Sequence, residues 1–423
     1  MRAGFYRTQL PKRNGRRVLA AVASGVIALA LATAFGSGLA GAATRPTSKV
    51  FGWGVQENWI ICPRSHEACN RSPYAVPHLA HIVRLDASDI SNLAIDASGH
   101  VWGWGDNERG ELGDGSTKPR AIPVEVKGVD HVVQTATGNS DAVALKANGR
   151  VWAWGNNGQG QLGTGNLKSH LVPVPATAVN SYTSKHHVTV KQLAAGGDKA
   201  YALLSNGTVI AWGGNQFGDL GDGRTGGRSL TPVVVSRLPS NIVAISSGNL
   251  FGDALTSTGA VYDWGYNSHG QLGDGKRTDS PVAVRVTHLT DGRSSRVVEV
   301  SAGGDLPANG HNMALLADGT VMTWGDNADG QLGNGKTVSS NVPVVVAQLS
   351  DGKSRRAVSI GAGGSHSMAL LSDGTVMTWG DNSHGQLGDG KLVKSTVPVK
   401  ALTGCEMISA GANDSLAARR PKG

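Results

Sequence analysis

The stretch from Arg355 to Gly390 reads RRAVSIGAGGSHSMALLSDGTVMTWGDNSHGQLGDG. It contains three short apolar runs: AVSI, HSMALL and TVMTWG. The second and third are joined by Asp373-Gly374, a hairpin turn signal, because a two-residue type I′ turn needs positive φ at both central positions. The same grammar recurs upstream. SRVVEVSAGG (295–304), HNMALLA (311–317) and DGTVMTWG (318–325) repeat it almost residue for residue. HVTVKQLAAGG (187–197), KAYALLS (199–205) and NGTVIAWG (206–213) repeat it again. The Trp-Gly pair occurs seven times, with Gly at 54, 105, 155, 213, 265, 325 and 380, so the period is 50 to 60 residues.

Each Trp-Gly after the first is followed by a polar loop such as DNERGELGDG (106–115). A Pro-containing run then follows, as in IPVEVK (122–127), TPVVVS (231–236) and VPVVVA (342–347). Proline leading the run reads as the start of an edge strand, where a missing N–H is tolerated. Each unit therefore has four short strands, and none has a helical period. SYTSKHH (181–187) reads as a lengthened linker. Four-stranded units repeating at this period describe the blades of an all-β propeller, in which blade packs on blade around an axis.

The two ends of the repeat region complete the count. KVFGWG (49–54) is a third strand with no first or second before it, and CEMISAGANDSLAA (405–418) is a first and second strand with no third after. Joined, they make a seventh blade of four antiparallel strands. The prediction is a single seven-bladed β-propeller over residues 43–423, closed by its own ends.

Composition agrees. Glycine is 60 of 423 residues, about twice the ordinary share of ~7%. Tryptophan is 10 of the aromatic residues, and charged residues are only 17%. Many tight turns and few charges suit short strands and exclude a disordered polyelectrolyte. The net charge of +8 is concentrated at the ends. Arg2, Arg7, Lys12, Arg13, Arg16 and Arg17 lie in the first 42 residues without an acid, and Arg419, Arg420 and Lys422 lie at the other end. The body is close to neutral, so nucleic acid is not an expected partner.

Residues 1–42 have the order of a secretory signal peptide: a basic start, the apolar run Val18 to Phe35, and the small-residue site Ala40-Gly41-Ala42. The expectation is a secreted or extracytoplasmic protein with no membrane span after signal removal. In an oxidising compartment Cys62 and Cys69 are candidates for a disulfide, and Cys405 reads as a buried free thiol.

The pattern AGG-x-HSMALL-x-DGTVMTWGDN-x-x-GQLGDG resembles the regulator of chromosome condensation repeat, over roughly residues 49–418. The resemblance implies a seven-bladed β-propeller, in agreement with the strand count. The family's namesake is a nuclear exchange factor for a small GTPase with a basic, chromatin-binding N-terminal tail; here the basic N-terminus reads as a signal peptide. A plant ultraviolet receptor of the family uses Gly-Trp-Arg-His-Thr, but the matching stretch here is Gly364-Ser365-His366-Ser367, without tryptophan. A secreted bacterial propeller of similar architecture inhibits β-lactamases. That likeness implies a secreted bacterial-type member binding protein outside the cell.

Other motifs are absorbed by the repeat. Gly330 to Thr337, GQLGNGKT, matches a phosphate-binding loop, but VPVVVA follows where that chemistry needs a helix. Asp326 to Gly330 resembles the start of a calcium loop, but Thr337 stands at the twelfth position, where an acid is required. His186-His187 has no matched third ligand. No cofactor, metal or catalytic residue is therefore expected.

Binding is expected where the blades differ. The first Trp-Gly is followed by VQENWIICPRSHEACNRSPYAVPHL (55–79) instead of the shared loop. Trp59, Ile60, Arg64, His66 and Tyr74 in it have the composition of an interface. DLPANG (305–310) is a second insertion. The expected function is a non-catalytic, monomeric propeller that holds an extracellular or envelope protein through rim loops. The alternatives are a carbohydrate or cell-wall binder and a secreted hydrolase.

Overall fold

The computed structural model describes residues 49–54, 71–88, 90–289, 295–305, 309–349 and 355–419. The described residues form seven four-stranded antiparallel sheets. The first blade is Ile82–Ala87, Ser91–Asp96, Val101–Gly105 and Arg120–Glu125, in that order from axis to rim. The following five repeat the order, and the innermost strand of each touches that of the next. The seventh sheet runs Tyr74–Ala75, Lys49–Gly54, Asp414–Arg419, Cys405–Ala410. Its inner strand Cys405–Ala410 touches Ile82–Ala87 of the first blade, which closes the ring.

The strand alternation explains what packs between blades. The tryptophans of the Trp-Gly pairs, Trp53, Trp104, Trp154, Trp212, Trp264, Trp324 and Trp379, are all at most 2% exposed. Most donate their indole N–H to the preceding blade. Trp154 Nε1 reaches the carbonyl of Glu111 at 2.7 Å, Trp212 that of Gln161 at 2.8 Å and Trp379 that of Gln331 at 2.9 Å. Trp53 of the closing blade does the same to Gln386 at 2.9 Å. A buried indole N–H needs such an acceptor, so at six of the seven interfaces one residue type supplies both bulk and a hydrogen bond to the preceding blade.

Side chains also stitch adjacent inner strands. Gln134 donates to the carbonyl of Leu193 at 2.9 Å and accepts from its N–H at 3.0 Å; Gln192 treats Ile245 in the same way. Toward the axis the strands converge and only small residues fit. A Cβ added to Gly303 would lie 2.2 Å from the carbonyl oxygen of Gly363 in the next blade. Gly303→Ala is therefore expected to destabilise the propeller by about 3 kcal/mol, the upper range for overpacking a backbone contact. Urea denaturation tests this, and a change below about 0.5 kcal/mol, the surface-substitution range, would show that the neck gives way.

Three expectations need correction. First, the prolines do not lead the outer strands. Pro123 is fourth in Arg120–Glu125, between Gly103↔Val124 and Gly105↔Arg120, where the register shifts. The bulge, not the strand start, removes the need for the N–H. Second, the linker after the second blade contains a helix, Thr177–Lys185. Ala176 stands where Val126 follows the outer strand of the first blade. The helix turns Val179 into the vacated volume beside Leu162 and Trp212. Val179 and Thr183, one turn apart, are its buried residues. Third, Tyr74 is not a free loop residue. It is half-buried in the short edge strand Tyr74–Ala75 and pairs with Gly52.

Cys405 opens an inner strand as a buried free thiol, as expected. Burial pushes its pKa up to about 11.

Candidate interaction face

Antiparallel order places the turn between the first and second strands at the same end of each blade as the loop between the third and fourth. The axis turns and the loops after Trp-Gly therefore share one face of the ring.

The loops on this face are rigid for an identifiable reason. Asn327 accepts the N–H of Leu332 at 2.9 Å, and its amide donates to the carbonyls of Lys336 at 3.0 Å and Val338 at 3.1 Å. Asn107, Asn157 and Asn382 make the equivalent three bonds in their blades. Gln331 accepts the N–H of Asp329 at 2.9 Å and donates to Asp326 at 2.9 Å. Asp326, Asn327 and Gln331 of the stretch that matched phosphate and calcium loops are thus consumed internally, whereas Lys336 and Thr337 stay exposed. Ser340–Val345 follows as a strand. Among the described residues no group of three or more His, Cys, Asp or Glu side chains is placed to hold a metal.

At the axis the face opens into a cavity of about 100 Å3, lined by small residues that include Ser88, Thr137, Asn139, Ser247 and Asn249. Below it lies a buried belt, one residue from each second strand: Ser91, Asp141, Lys199, Phe251, His311, His366 and Asp414. Lys199 donates to three carbonyls, of Gly196 at 3.1 Å, Gly248 at 2.9 Å and Asn249 at 2.6 Å. Burial nevertheless lowers its pKa to about 8. Burial also lowers His311 to about 3 and His366 to about 4, so both are neutral at pH 7.

His311 Nε2 lies 2.7 Å from Ser367 Oγ, and His366 Nε2 lies 2.9 Å from Ser415 Oγ. Two Ser–His pairs suggest nucleophile and base. The hydrogen bonds point elsewhere. Ser367 Oγ donates to the carbonyl of Gln331 at 2.8 Å, and Ser415 Oγ to that of Gln386 at 3.0 Å. Each histidine is then the donor to its serine, and all four side chains are fully buried. These pairs bind blades together; they do not form a hydrolytic centre.

The sequence-predicted site divides. Tyr74 lies on the edge strand described above. Trp59, Ile60, Arg64 and His66, with the cysteines Cys62 and Cys69, lie outside the described residues, as do residues 1–42. The ends of that segment, Gly54 and Arg71, are described and belong to the Trp-Gly loop position of the closing blade, where the other six carry the asparagine-held loop. The insertion 305–310 lengthens Val297–Asp305 and Asn309–Leu316, which pair as far as Asp305↔Asn309. His186 stacks on Tyr182 with ring centroids 4.1 Å apart at the helix end.

Two features of the fourth blade escaped the sequence reading. Asp253 and Asp263 are directly opposed across neighbouring strands and fully buried. The signal was available: their counterparts in the fifth blade are Met313 and Thr323.

Residues 20–337 match the model of the RCC1-like domain, and residues 318–370 and 373–418 match the regulator of chromosome condensation (RCC1) repeat. The chain belongs to the RCC1-like domain family. The ultraviolet-B receptor UVR8 of Arabidopsis thaliana is 31% identical over 326 residues, 77% of this chain and 59% of the receptor. The probable E3 ubiquitin-protein ligase HERC6 of Homo sapiens is 36% identical over 203 residues, 47% of this chain and 19% of the ligase. The chain thus spans between 19% and 59% of these curated relatives. Among solved structures, Prp20p from Saccharomyces cerevisiae superposes with a TM-score of 0.75 at 23% identity, covering 90% of this chain and 93% of that one. Human WBSCR16 gives a TM-score of 0.74 at 21% identity, covering 88% and 99%. At such identities the likeness concerns the RCC1-like fold. These relatives are eukaryotic and do not support the expectation of a secreted bacterial-type member.

Proposed function

We propose that this RCC1-like propeller is an exported, non-catalytic protein-binding module whose partner docks on the loop face around segment 55–79. The observation that supports this most is the exchange of one loop in seven. Six blades spend the loop after Trp-Gly on an internal asparagine network. The closing blade replaces it with a sequence rich in Trp59, Ile60, Arg64, His66 and Tyr74. Loop variation on a rigid repeat scaffold is how such folds acquire partners. Prp20p has binding properties toward Gsp1p and histones, which fits a protein-binding use of the fold without naming a partner here. Export is read from residues 1–42, and the partner is an extracellular or envelope protein.

The test is capture with the full chain as bait against secreted and envelope proteins of its source, beside a Trp59→Ala/Ile60→Ala/Arg64→Ala variant. One saturable protein partner, weakened at least tenfold in the variant as for paired hot-spot truncations, is the expected result. Capture of glycan in place of protein, or equal capture by the variant, overturns the reading.

A further inference from the structure

The body of the chain is nearly neutral in sequence, yet the fold sorts its charges. In the loop after Trp-Gly an Asp or Asn turns its side chain inward to accept the backbone N–H two residues on. Asp222 accepts from Arg224 at 3.1 Å, Asp274 from Lys276 at 3.0 Å, Asn334 from Lys336 at 3.0 Å and Asp389 from Lys391 at 3.0 Å. The turn that draws the acid in sends the base out. The side chains of Asp222, Asp274 and Asp389 are 9%, 10% and 12% exposed, whereas Arg224, Lys276 and Lys391 are 81%, 70% and 71% exposed, each base forming a long ion pair with the aspartate of its own loop at 3.7, 3.8 and 3.9 Å. Lys118 and Lys168 are exposed in the corresponding loops of the first two blades. Six successive blades thus each present an exposed base on the same face.

Aliphatic side chains stand among these bases. Val338 is 71% exposed and Val393 68%, the largest exposures among the large hydrophobic residues described. Leu167 and Leu392 accompany them beside Lys168 and Lys391. The surface is rigid as well as amphipathic. Asn327 and Asn382 hold the carbonyls of Val338 and Val393, and Arg277 of the fourth blade donates to the carbonyl of Ser339 in the fifth at 3.0 Å.

We propose that this rim is a peripheral docking surface for an anionic phospholipid bilayer. A ring of loops on one face matches an extended planar array of negative headgroups, and each base near such a surface adds attraction. The valines and leucines decide between a bilayer and a soluble polyanion. Aliphatic groups gain nothing from phosphates along a polymer, but gain burial when bases bring them to the headgroup–acyl boundary. This proposal does not rest on the protein-binding reading.

The test is cosedimentation of the full chain with vesicles of mixed phosphatidylcholine and phosphatidylglycerol. Pure phosphatidylcholine vesicles measure any contribution of the apolar run Val18 to Phe35, which every variant shares. Lys336→Gln with Lys391→Gln is expected to weaken binding to the mixed vesicles roughly 25-fold, at about fivefold per base. Val338→Ser with Val393→Ser is expected to weaken it about tenfold from lost apolar burial. All four side chains are exposed, so thermal melts should be unchanged and a folding defect would be visible separately. Binding of both variants at the wild-type level overturns the proposal. So does loss with the lysine pair alone, accompanied by equally strong binding to duplex DNA, which would identify a general polyanion site. Either failure leaves the protein-capture experiment unaffected.

Discussion

Deletion of the residues after Gly404 is expected to abolish the cooperative unfolding of the propeller, with a loss far larger than that of any single substitution. The strand Asp414–Arg419 pairs with every residue of Lys49–Gly54, from Lys49↔Arg419 to Gly54↔Asp414. Without it the first described strand keeps only the two-residue partner Tyr74–Ala75. The strand Cys405–Ala410 is the inner strand on which the first blade closes. Ala87 donates its N–H to Ser409 Oγ at 2.9 Å, Ala412 its N–H to the carbonyl of Ser88 at 3.1 Å, and Asn92 its amide to Asp414 at 2.7 Å. On the other side Gly364 donates its N–H to the carbonyl of Gly411 at 3.1 Å. Leu416, Ala417 and Ala418 are fully buried between blades. Removing two strands therefore exposes two blade faces as well as a sheet edge. Removal of a large part of a buried interface easily exceeds the 5–15 kcal/mol by which domains are usually stable. Thermal melting followed by tryptophan fluorescence measures this directly. A truncated chain with the midpoint and steepness of the full one would mean that six blades close without the seventh.

The second large effect is in pH. Burial raises Asp253 to about 7, and burial together with the charge of Asp253 raises Asp263 well above the usual carboxylate range. Trp324 Nε1 at 3.1 Å and the Asn312 amide at 3.1 Å both donate to Asp263 Oδ2, but two fully buried carboxylates opposed across neighbouring strands favour retention of a proton on the pair. Burial also raises Glu299 to about 7. A carboxyl whose folded pKa exceeds its unfolded value contributes stability fully present below the unfolded value and lost as pH rises through the folded one. His311 and His366 act in the opposite direction. Their folded pKa values are lowered, so the unfolded chain binds their protons first and stability is lost as pH falls below about 6.5. Between about pH 6.5 and 8 the histidines have ceased to contribute and the carboxyls have not. Lys199, lowered by burial to about 8, opposes this only toward the upper end, so stability is expected to fall from about pH 6.5 to 7.5, by more than about 1 kcal/mol per pH unit for each retained proton. Asp253→Asn removes one member of the pair and is expected to flatten the fall markedly. Denaturant titrations at a series of pH values supply the check. Parallel profiles for the variant and the parent would exclude the pair as the source.

The repeat was legible because its signals are local. Asp-Gly and Asn-Gly specify hairpins, alternation specifies a sheet face, and Trp-Gly marks the third strand wherever it occurs. That local grammar determined seven blades, their strand order and the joining of KVFGWG to the strands near Cys405. Boundaries were less legible where neighbours compensate. The helix Thr177–Lys185 exists because Ala176 leaves space that Val179 fills, a relation between side chains that no single repeat displays. The prolines fell inside outer strands because a bulge, visible only in the register, frees their position from hydrogen bonding.

The site divided along the same line. Sequence alone identified segment 55–79 as the departure from the repeat, since an exchanged loop needs no coordinates to be seen. The tertiary structure decided what the polar residues do. It spent the histidines and serines of the belt on bonds between blades, and it set Asp253 against Asp263. It also turned the loop aspartates inward and the lysines outward, making a basic, aliphatic rim from a nearly neutral chain. Sequence records which residues are present. Only the fold decides which side of a turn each one faces, because that direction is fixed by backbone hydrogen bonds that the loop must satisfy.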